Sequence, residues 1–233
     1  MSNYFSVLFT KHKKHLPKPF KGTWFEEICR YGVMIFISAW VLQGMRIMNW
    51  RETVLKLLLD VVIMALLIGV GCYWLLAFVI AHTLNFTFNG QLFAMFTHMG
   101  ATNVPPQRFL MQTEHIARKA QKSPCIAAAI AYGSLSRGCY KRTSDIDLRI
   151  IPAMGEWNWW CCVLWAFGQR CIAFIERYPL DMYVYSADEV IKRMRTDELP
   201  VMLCERRYCM KDYYPNRVEF NEFKERFIIN NIR

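Results

Sequence analysis

The chain has 233 residues, enough for one domain with an appendage or for two small domains, and carries a formal net charge of +10 at pH 7. It is 54% hydrophobic and 15% aromatic, with a positive mean hydropathy of +0.11, which predicts membrane contact; the positive charge suits anionic lipid, polyphosphate or nucleic acid. Nine cysteines without a Cys-x-x-Cys pair exclude the spacing of a disulfide framework or a structural zinc site, and they predict reduced thiols in a cytosolic setting.

The N-terminal segment, residues 1–25, is basic, with the cations concentrated in KHKKHLPKPFK at 11–21. The first apolar patch, YFSVLF, is too short for a signal peptide, and cations follow it rather than precede it. A basic run just before apolar sequence favours a cytoplasmic membrane flank, and a solvated tail is the alternative.

Two apolar stretches follow within residues 26–81. The longer, LLLDVVIMALLIGVGCYWLLAFVI at 57–80, has 24 residues and one charge, Asp60, and at helical rise it covers a hydrocarbon core of roughly 30 Å. The shorter, YGVMIFISAWVLQGM at 31–45, predicts a second span or an interfacial helix. We therefore predict a transmembrane hairpin with helices at about 31–48 and 55–80, against the alternative of a buried core helix.

Residues 82–106 mix polar and aromatic positions up to a Pro-Pro stop and predict a connector near the membrane surface. Residues 107–233 predict a water-facing α+β domain with a mixed sheet and flanking helices. Its predicted elements, in chain order, are a helix at 107–121, a strand at 126–132, a strand over DLRII, a helix at 157–178, a strand at 180–186 and a helix with Ser186 as its N-cap. The helix at 157–178 is apolar on every face, which predicts packing against the hairpin or shallow membrane insertion, or burial in an oligomer.

Carboxylates stand at the start of the second and third predicted strands. Asp145 and Asp147 are two residues apart, so they point to one side of a strand, and Asp181 is flanked by the apolar Leu180 and Met182. Adjacent carboxylates repel unless a cation lies between them, and hard oxygen ligands select Mg²⁺ or Mn²⁺. If the two strands are neighbours, the three side chains form the ligand set of a two-metal site for phosphoryl displacement.

The first predicted strand ends in Gly133-Ser134, where glycine permits close approach of a phosphate. The stretch GSLSRGCYKRTSDIDL resembles the signature of the DNA polymerase beta-like nucleotidyltransferase superfamily and is most similar to its minimal nucleotidyltransferases. The resemblance covers roughly residues 107–190, and LDMYVYSADEV is similar to the family's third-carboxylate strand and following helix.

The resemblance implies a nucleoside monophosphate transfer from an NTP, such as ATP, to an acceptor, with release of pyrophosphate. Asp145 and Asp147 would bind both metals, and Asp181 would bind the catalytic metal and help deprotonate the acceptor hydroxyl. The nucleotide-binding candidates are Gly133, Ser134, Arg137, Lys141 and Ser144. Arg142 is a further phosphate or acceptor cation; for Arg137 the alternative is a brace for the turn, and for Lys141 and Arg142 a solvated loop.

Together these features predict a membrane-anchored, Mg²⁺-dependent nucleotidyltransferase in the inner or plasma membrane, with its catalytic domain cytoplasmic. The expected acceptor is a membrane lipid, a lipid-linked molecule or a glycan precursor. A protein partner as acceptor, as in antitoxin-like AMP transfer, and a catalytically silent nucleotide-binding scaffold are the alternatives; a glycosyltransferase leaves Gly133 and Ser134 without a role. A homo-oligomer stays open, and nucleic acid is disfavoured because no aromatic stacking platform is evident.

Overall fold

The computed structural model describes residues 4–12, 22–193, 198–206 and 210–232. Within them the chain forms ten α-helices and five β-strands. In chain order these are α1 (Tyr4–Leu8), α2 (Trp24–Cys29), α3 (Gly32–Leu42), α4 (Trp50–Gly69), α5 (Trp74–Phe88), α6 (Gln91–His98), α7 (Pro106–Lys122), β1 (Ile126–Ala131), β2 (Ile146–Pro152), α8 (Glu156–Ile175), β3 (Leu180–Val184), α9 (Ala187–Arg193), β4 (Val201–Glu205), β5 (Val218–Glu219) and α10 (Phe220–Asn231).

The five strands form one mixed sheet in the order β3-β2-β1-β4-β5. Strand β1 runs antiparallel to both β2 and β4, whereas β2 pairs in parallel with β3, and β4 in parallel with β5. The predicted α+β domain with a mixed sheet is confirmed, and the predicted helix and strand positions from residue 107 to residue 193 agree with the structure to within a few residues. Ser186 caps α9 as predicted, because its Oγ accepts from the N–H of Glu189 while its own N–H donates to the Glu189 carboxylate.

The two faces of the sheet are covered differently. One face packs against α7, α8 and α10 through a large apolar core that includes Ile116, Cys162 and Phe227. The opposite face carries a smaller cluster that includes Tyr132, Tyr183 and Tyr185. Because side chains alternate along a strand, the residues between the core positions of β2 and β3 all lie on this second face.

The predicted transmembrane hairpin is wrong. Among the described residues, no helix is both long enough and apolar enough to cross a bilayer. The stretch 57–80 is not one helix, because α4 ends at Gly69 and Gly71 adopts a positive φ of 91°, which turns the chain back into α5. Helix α5 has only 15 residues, and α4 carries four charged residues, Arg51, Glu52, Lys56 and Asp60.

The expected localisation in the inner or plasma membrane loses its support with that hairpin. Helices α4 and α5 do pack against each other as an antiparallel pair, but α4 lies mainly, and α5 begins, in the stretch predicted as the single helix 55–80, whereas the stretch predicted as its partner, 31–48, forms α3. Helix α5 also extends into the stretch expected to be a connector. The outward faces of both helices keep apolar side chains exposed, including Val61, Leu66 and Trp74.

Buried polar contacts hold this helix pair together. His82 Nδ1 lies 2.8 Å from Asp60 Oδ2, and Asn85 Nδ2 donates to Asp60 Oδ1 at 2.8 Å. Lys56 is 2% exposed and donates to the main-chain oxygen of Gln43, and burial lowers its pKa well below the ordinary lysine value. The charges that interrupt the apolar sequence therefore have partners within the protein.

The same helix pair is joined to the sheet domain through α8. Arg170, 2% exposed, forms an ion pair with Glu52 of α4, which is 1% exposed. Arg170 Nε also donates to the Met182 oxygen at 3.1 Å, and Glu52 Oε2 accepts from the Val184 N–H at 3.1 Å. These contacts satisfy main-chain groups of β3, which is an edge strand of the sheet.

The apolar helix predicted at 157–178 packs against this pair, as expected from its composition. The rings of Trp50 and Trp160 lie 6.1 Å apart and those of Phe88 and Phe174 lie 5.4 Å apart. Most of the basic segment predicted at 1–25 lies outside the described residues, since 1–3 and 13–21 are not among them. Within the described part, Lys11 Nζ pairs with Glu27 at 2.6 Å.

Candidate functional site

Three aspartates gather at one end of the second sheet face. Asp147 in β2 and Asp181 in β3 are register partners in the parallel pair, so their side chains lie side by side on that face. Asp145 precedes β2 by one residue, and its charge acts on Asp147. The structure thus places Asp181 beside Asp147, and the charge of Asp145 acts on Asp147.

A glycine turn closes over this row. The N–H of Tyr132 donates to the main-chain oxygen of Asp147 at 3.0 Å, which places the end of β1 beside Asp147. Gly133 follows with a φ of 68°, and a Cβ added there would lie 1.8 Å from Asp147 Oδ2. Both the positive φ and the contact require glycine at this position.

Ser134 has the orphaned side chain of the site. Its Oγ is buried and has no hydrogen-bond partner among the described residues. The turn around it is fixed by local bonds, with Ser136 Oγ and the N–H of Arg137 both donating to the Gly133 oxygen, at 3.1 and 3.3 Å. A buried hydroxyl without a partner costs free energy unless a ligand completes its hydrogen bonding.

The electrostatics of the row favour a bound cation. Burial, and then the neighbouring charges of Asp145 and Asp181, raise the pKa of Asp147 to about 9. Arg149 acts in the opposite direction, and its Nη2 lies 3.7 Å from Asp181 Oδ2. Carboxyl groups held this close retain a proton between them unless another cation replaces it.

The donor set fits a divalent metal by its chemistry. In the part of the chain that the structure describes, no group of three or more Asp, Glu, His or Cys side chains is already arranged to hold a metal ion. Carboxylate oxygens beside a glycine turn with an unpartnered hydroxyl suit Mg²⁺ or Mn²⁺.

The remaining predicted residues lie on the loop between β1 and β2. Arg137 pairs with the carboxylate of Glu198 at 2.7 Å, a partner that neither the phosphate assignment nor the brace through carbonyls of the turn predicted. The N–H of Lys141 donates to Ser144 Oγ at 3.0 Å and closes a turn, and the side chains of Lys141 and Arg142 are exposed.

Sequence reasoning missed Arg149 and Glu198. Arg149 is half-buried on β2, two residues after Asp147 and therefore on the same face, and its guanidinium lies 5.0 Å from the ring of Tyr183. Strand alternation alone was enough to find Arg149. Glu198 precedes β4 after a long intervening stretch, and no local pattern links it to Arg137.

No protein-family model, curated protein or solved structure matches this chain. The case for a function therefore rests on the site and on the motif.

Proposed function

We propose that this protein is a divalent-metal-dependent nucleotidyltransferase that transfers a nucleoside monophosphate from an NTP to an acceptor and releases pyrophosphate. The observation that carries the proposal is the register pairing of Asp147 with Asp181 directly beside Gly133. The resemblance of GSLSRGCYKRTSDIDL to the DNA polymerase beta-like superfamily supports it. A glycosyltransferase would use the aspartates but not the glycine-serine turn.

The residues have separate tasks in this proposal. Asp145, Asp147 and Asp181 would hold Mg²⁺ or Mn²⁺, and the metal supplies charge neutralisation on the phosphates and lowers the pKa of the attacking hydroxyl. The turn at Gly133 and Ser134 holds the β- and γ-phosphates with its main-chain N–H groups and the free Ser134 hydroxyl.

The proposed reaction forms one bond and breaks one bond at the α-phosphorus, and it needs no covalent enzyme intermediate. The acceptor oxygen forms a bond to the α-phosphorus, and the bond from that phosphorus to the bridging oxygen of pyrophosphate breaks. The proton of the acceptor hydroxyl passes to the carboxylate of Asp181. Positioning and charge neutralisation supply most of the rate enhancement in reactions of this type.

The test is pyrophosphate release by the purified full chain with each of the four NTPs and Mg²⁺, in the presence of cell extract as a source of acceptor. We expect release with at least one NTP and its loss in Asp147→Asn and Asp181→Asn. Asp188→Asn, an exposed acid at the start of α9, is the matched control and keeps full activity. Release that persists in both site variants contradicts the proposal.

An α-labelled NTP identifies the acceptor class in the same extract, because label enters a lipid phase, a protein band or a small soluble product. Tight NTP binding without pyrophosphate release under every condition favours the silent nucleotide-binding scaffold instead.

A further inference from the structure

A cavity opens on the sheet face that carries Asp147 and Asp181. It has a volume of about 280 Å³, and the side chains that decide its chemistry are Tyr132, Arg149, Tyr185, Arg193 and Glu198. We call it the arginine pocket. Its volume is at the small end of the range for ligand sites, which suits a small molecule.

The arginine pocket adjoins the carboxylate row through Arg149. In the register of the sheet, Asp147 pairs with Asp181, and the next outward-facing pair along the strands is Arg149 with Tyr183. Ser134 lines a different cavity, together with Phe223 and Phe227 of α10. A ligand in the arginine pocket therefore lies on the Arg149 side of Asp147 and Asp181.

Two guanidinium groups give the arginine pocket its charge. Arg149 connects it with the carboxylate row through the 3.7 Å approach to Asp181. Arg193 stacks its guanidinium 4.7 Å from the ring of Tyr185 and is oriented by a hydrogen bond from Nη1 to the Ile47 oxygen at 3.2 Å. The pocket's carboxylate, Glu198, is already paired with Arg137 at 2.7 Å.

This arrangement suits an anion with an apolar part. Guanidinium groups bind phosphate oxygens with two parallel hydrogen bonds, and Arg193 is exposed and available for that contact. The rings of Tyr132 and Tyr185 supply an aromatic wall for the organic part of the ligand.

We propose that the arginine pocket binds the acceptor, and that this acceptor is a small molecule with two groups: a phosphate monoester held by Arg193 and Arg149, and a hydroxyl whose attacking oxygen lies toward Asp181. The assignment as an acceptor site rests on the proposed nucleotidyltransferase function. The binding of a phosphate monoester does not depend on turnover, so it is tested separately.

Phenyl phosphate is the probe, because it combines a phosphate monoester with one aromatic ring. Its binding to the full chain is measured by isothermal titration calorimetry in EDTA, without nucleotide. We expect Arg193→Gln to weaken binding about tenfold, as the loss of one charge-assisted contact predicts. Lys192→Gln, which removes the same charge from the neighbouring residue of α9, changes binding less than about twofold.

The Ser134→Ala variant tests whether phenyl phosphate binds at the glycine-serine turn instead of in the arginine pocket. If phenyl phosphate occupies the glycine-serine turn, Ser134→Ala weakens binding and Arg193→Gln does not, and the proposal is overturned. It is also overturned if the unaltered chain does not bind the probe or if Arg193→Gln binds it equally well. Thermal unfolding of Arg193→Gln at the same midpoint as the unaltered chain shows that weaker binding is not a folding defect.

The two proposals fail in different experiments. Phenyl phosphate binding that depends on Arg193, without pyrophosphate release from any NTP, ends the nucleotidyltransferase proposal and leaves an anion pocket. Pyrophosphate release that depends on Asp147, without Arg193-dependent phenyl phosphate binding, leaves the enzyme and ends the acceptor assignment.

Discussion

Removal of the Glu52 carboxylate tests how the N-terminal helix pair is attached to the sheet domain. Glu52→Ala leaves the Arg170 guanidinium, 2% exposed, without its carboxylate partner, and leaves the Val184 N–H without its acceptor. Breaking one side of a buried ion pair costs about 3–5 kcal/mol. An orphaned buried N–H costs about 1–3 kcal/mol, and the two costs overlap because water entering the gap relieves both.

We therefore expect Glu52→Ala to lower the free energy of unfolding by about 4 kcal/mol, a large part of the about 5–15 kcal/mol typical of a folded protein. Urea unfolding followed by tryptophan fluorescence measures this loss. With an m-value of about 2–3 kcal/mol/M, the midpoint falls by about 1.3–2 M.

Glu156→Ala is the matched control, because it removes the other ion pair between α4 and α8. That pair joins Arg51 to Glu156, whose side chain is 71% exposed, so its loss costs about 1 kcal/mol or less and the cost shrinks in high salt. Equal losses for Glu52→Ala and Glu156→Ala refute the reasoning that a buried network anchors α4 to β3.

Two further predictions concern the carboxylate row. Gly133→Ala places a Cβ 1.8 Å from Asp147 Oδ2, so we expect about tenfold or greater loss of pyrophosphate release. The control, Gly138→Ala, has a similar φ of 63° and no atom within 4 Å of its Cβ, so it shares only the backbone cost of about 1–2 kcal/mol. Equal activity of the two variants contradicts the contact between Gly133 and Asp147. In metal-free protein, burial and the neighbouring carboxylates raise the pKa of Asp147 from 3.8 to about 9, so the native state keeps a proton that the unfolded chain releases, and stability falls as the pH rises between those values. We expect the thermal midpoint in EDTA to be lower at pH 8 than at pH 5 and Asp147→Asn to reduce that difference; an unchanged difference shows that Asp147 does not carry the raised pKa.

The sheet and its carboxylate row could be predicted from local sequence. Alternation in SDIDL and in LDMYV fixed which side chains share a face, and a parallel pairing of those two strands was sufficient to bring Asp147 beside Asp181. The glycine-serine turn was also visible, because a positive φ next to a crowded strand end leaves few residue types.

The transmembrane hairpin was predicted wrongly because the average hydropathy of a stretch shows neither where a helix ends nor whether a charged side chain has a partner in the folded protein. Gly71 breaks the apolar stretch, and the partner of Glu52 is Arg170, 118 residues further along the chain. The arginine pocket was not predicted either, because Tyr132, Arg149 and Arg193 are far apart in the sequence and come together only once the sheet has formed.

Divalent metal binding by the three aspartates is the central claim, and a Mn²⁺ titration followed by electron paramagnetic resonance tests it most directly. We expect the unaltered chain to remove free Mn²⁺ from solution at pH 8, and Asp147→Asn and Asp181→Asn to weaken that binding about tenfold or more, while Asp188→Asn leaves it unchanged. Equal Mn²⁺ binding by the unaltered chain, Asp147→Asn and Asp181→Asn, or no binding by the unaltered chain, would contradict the account.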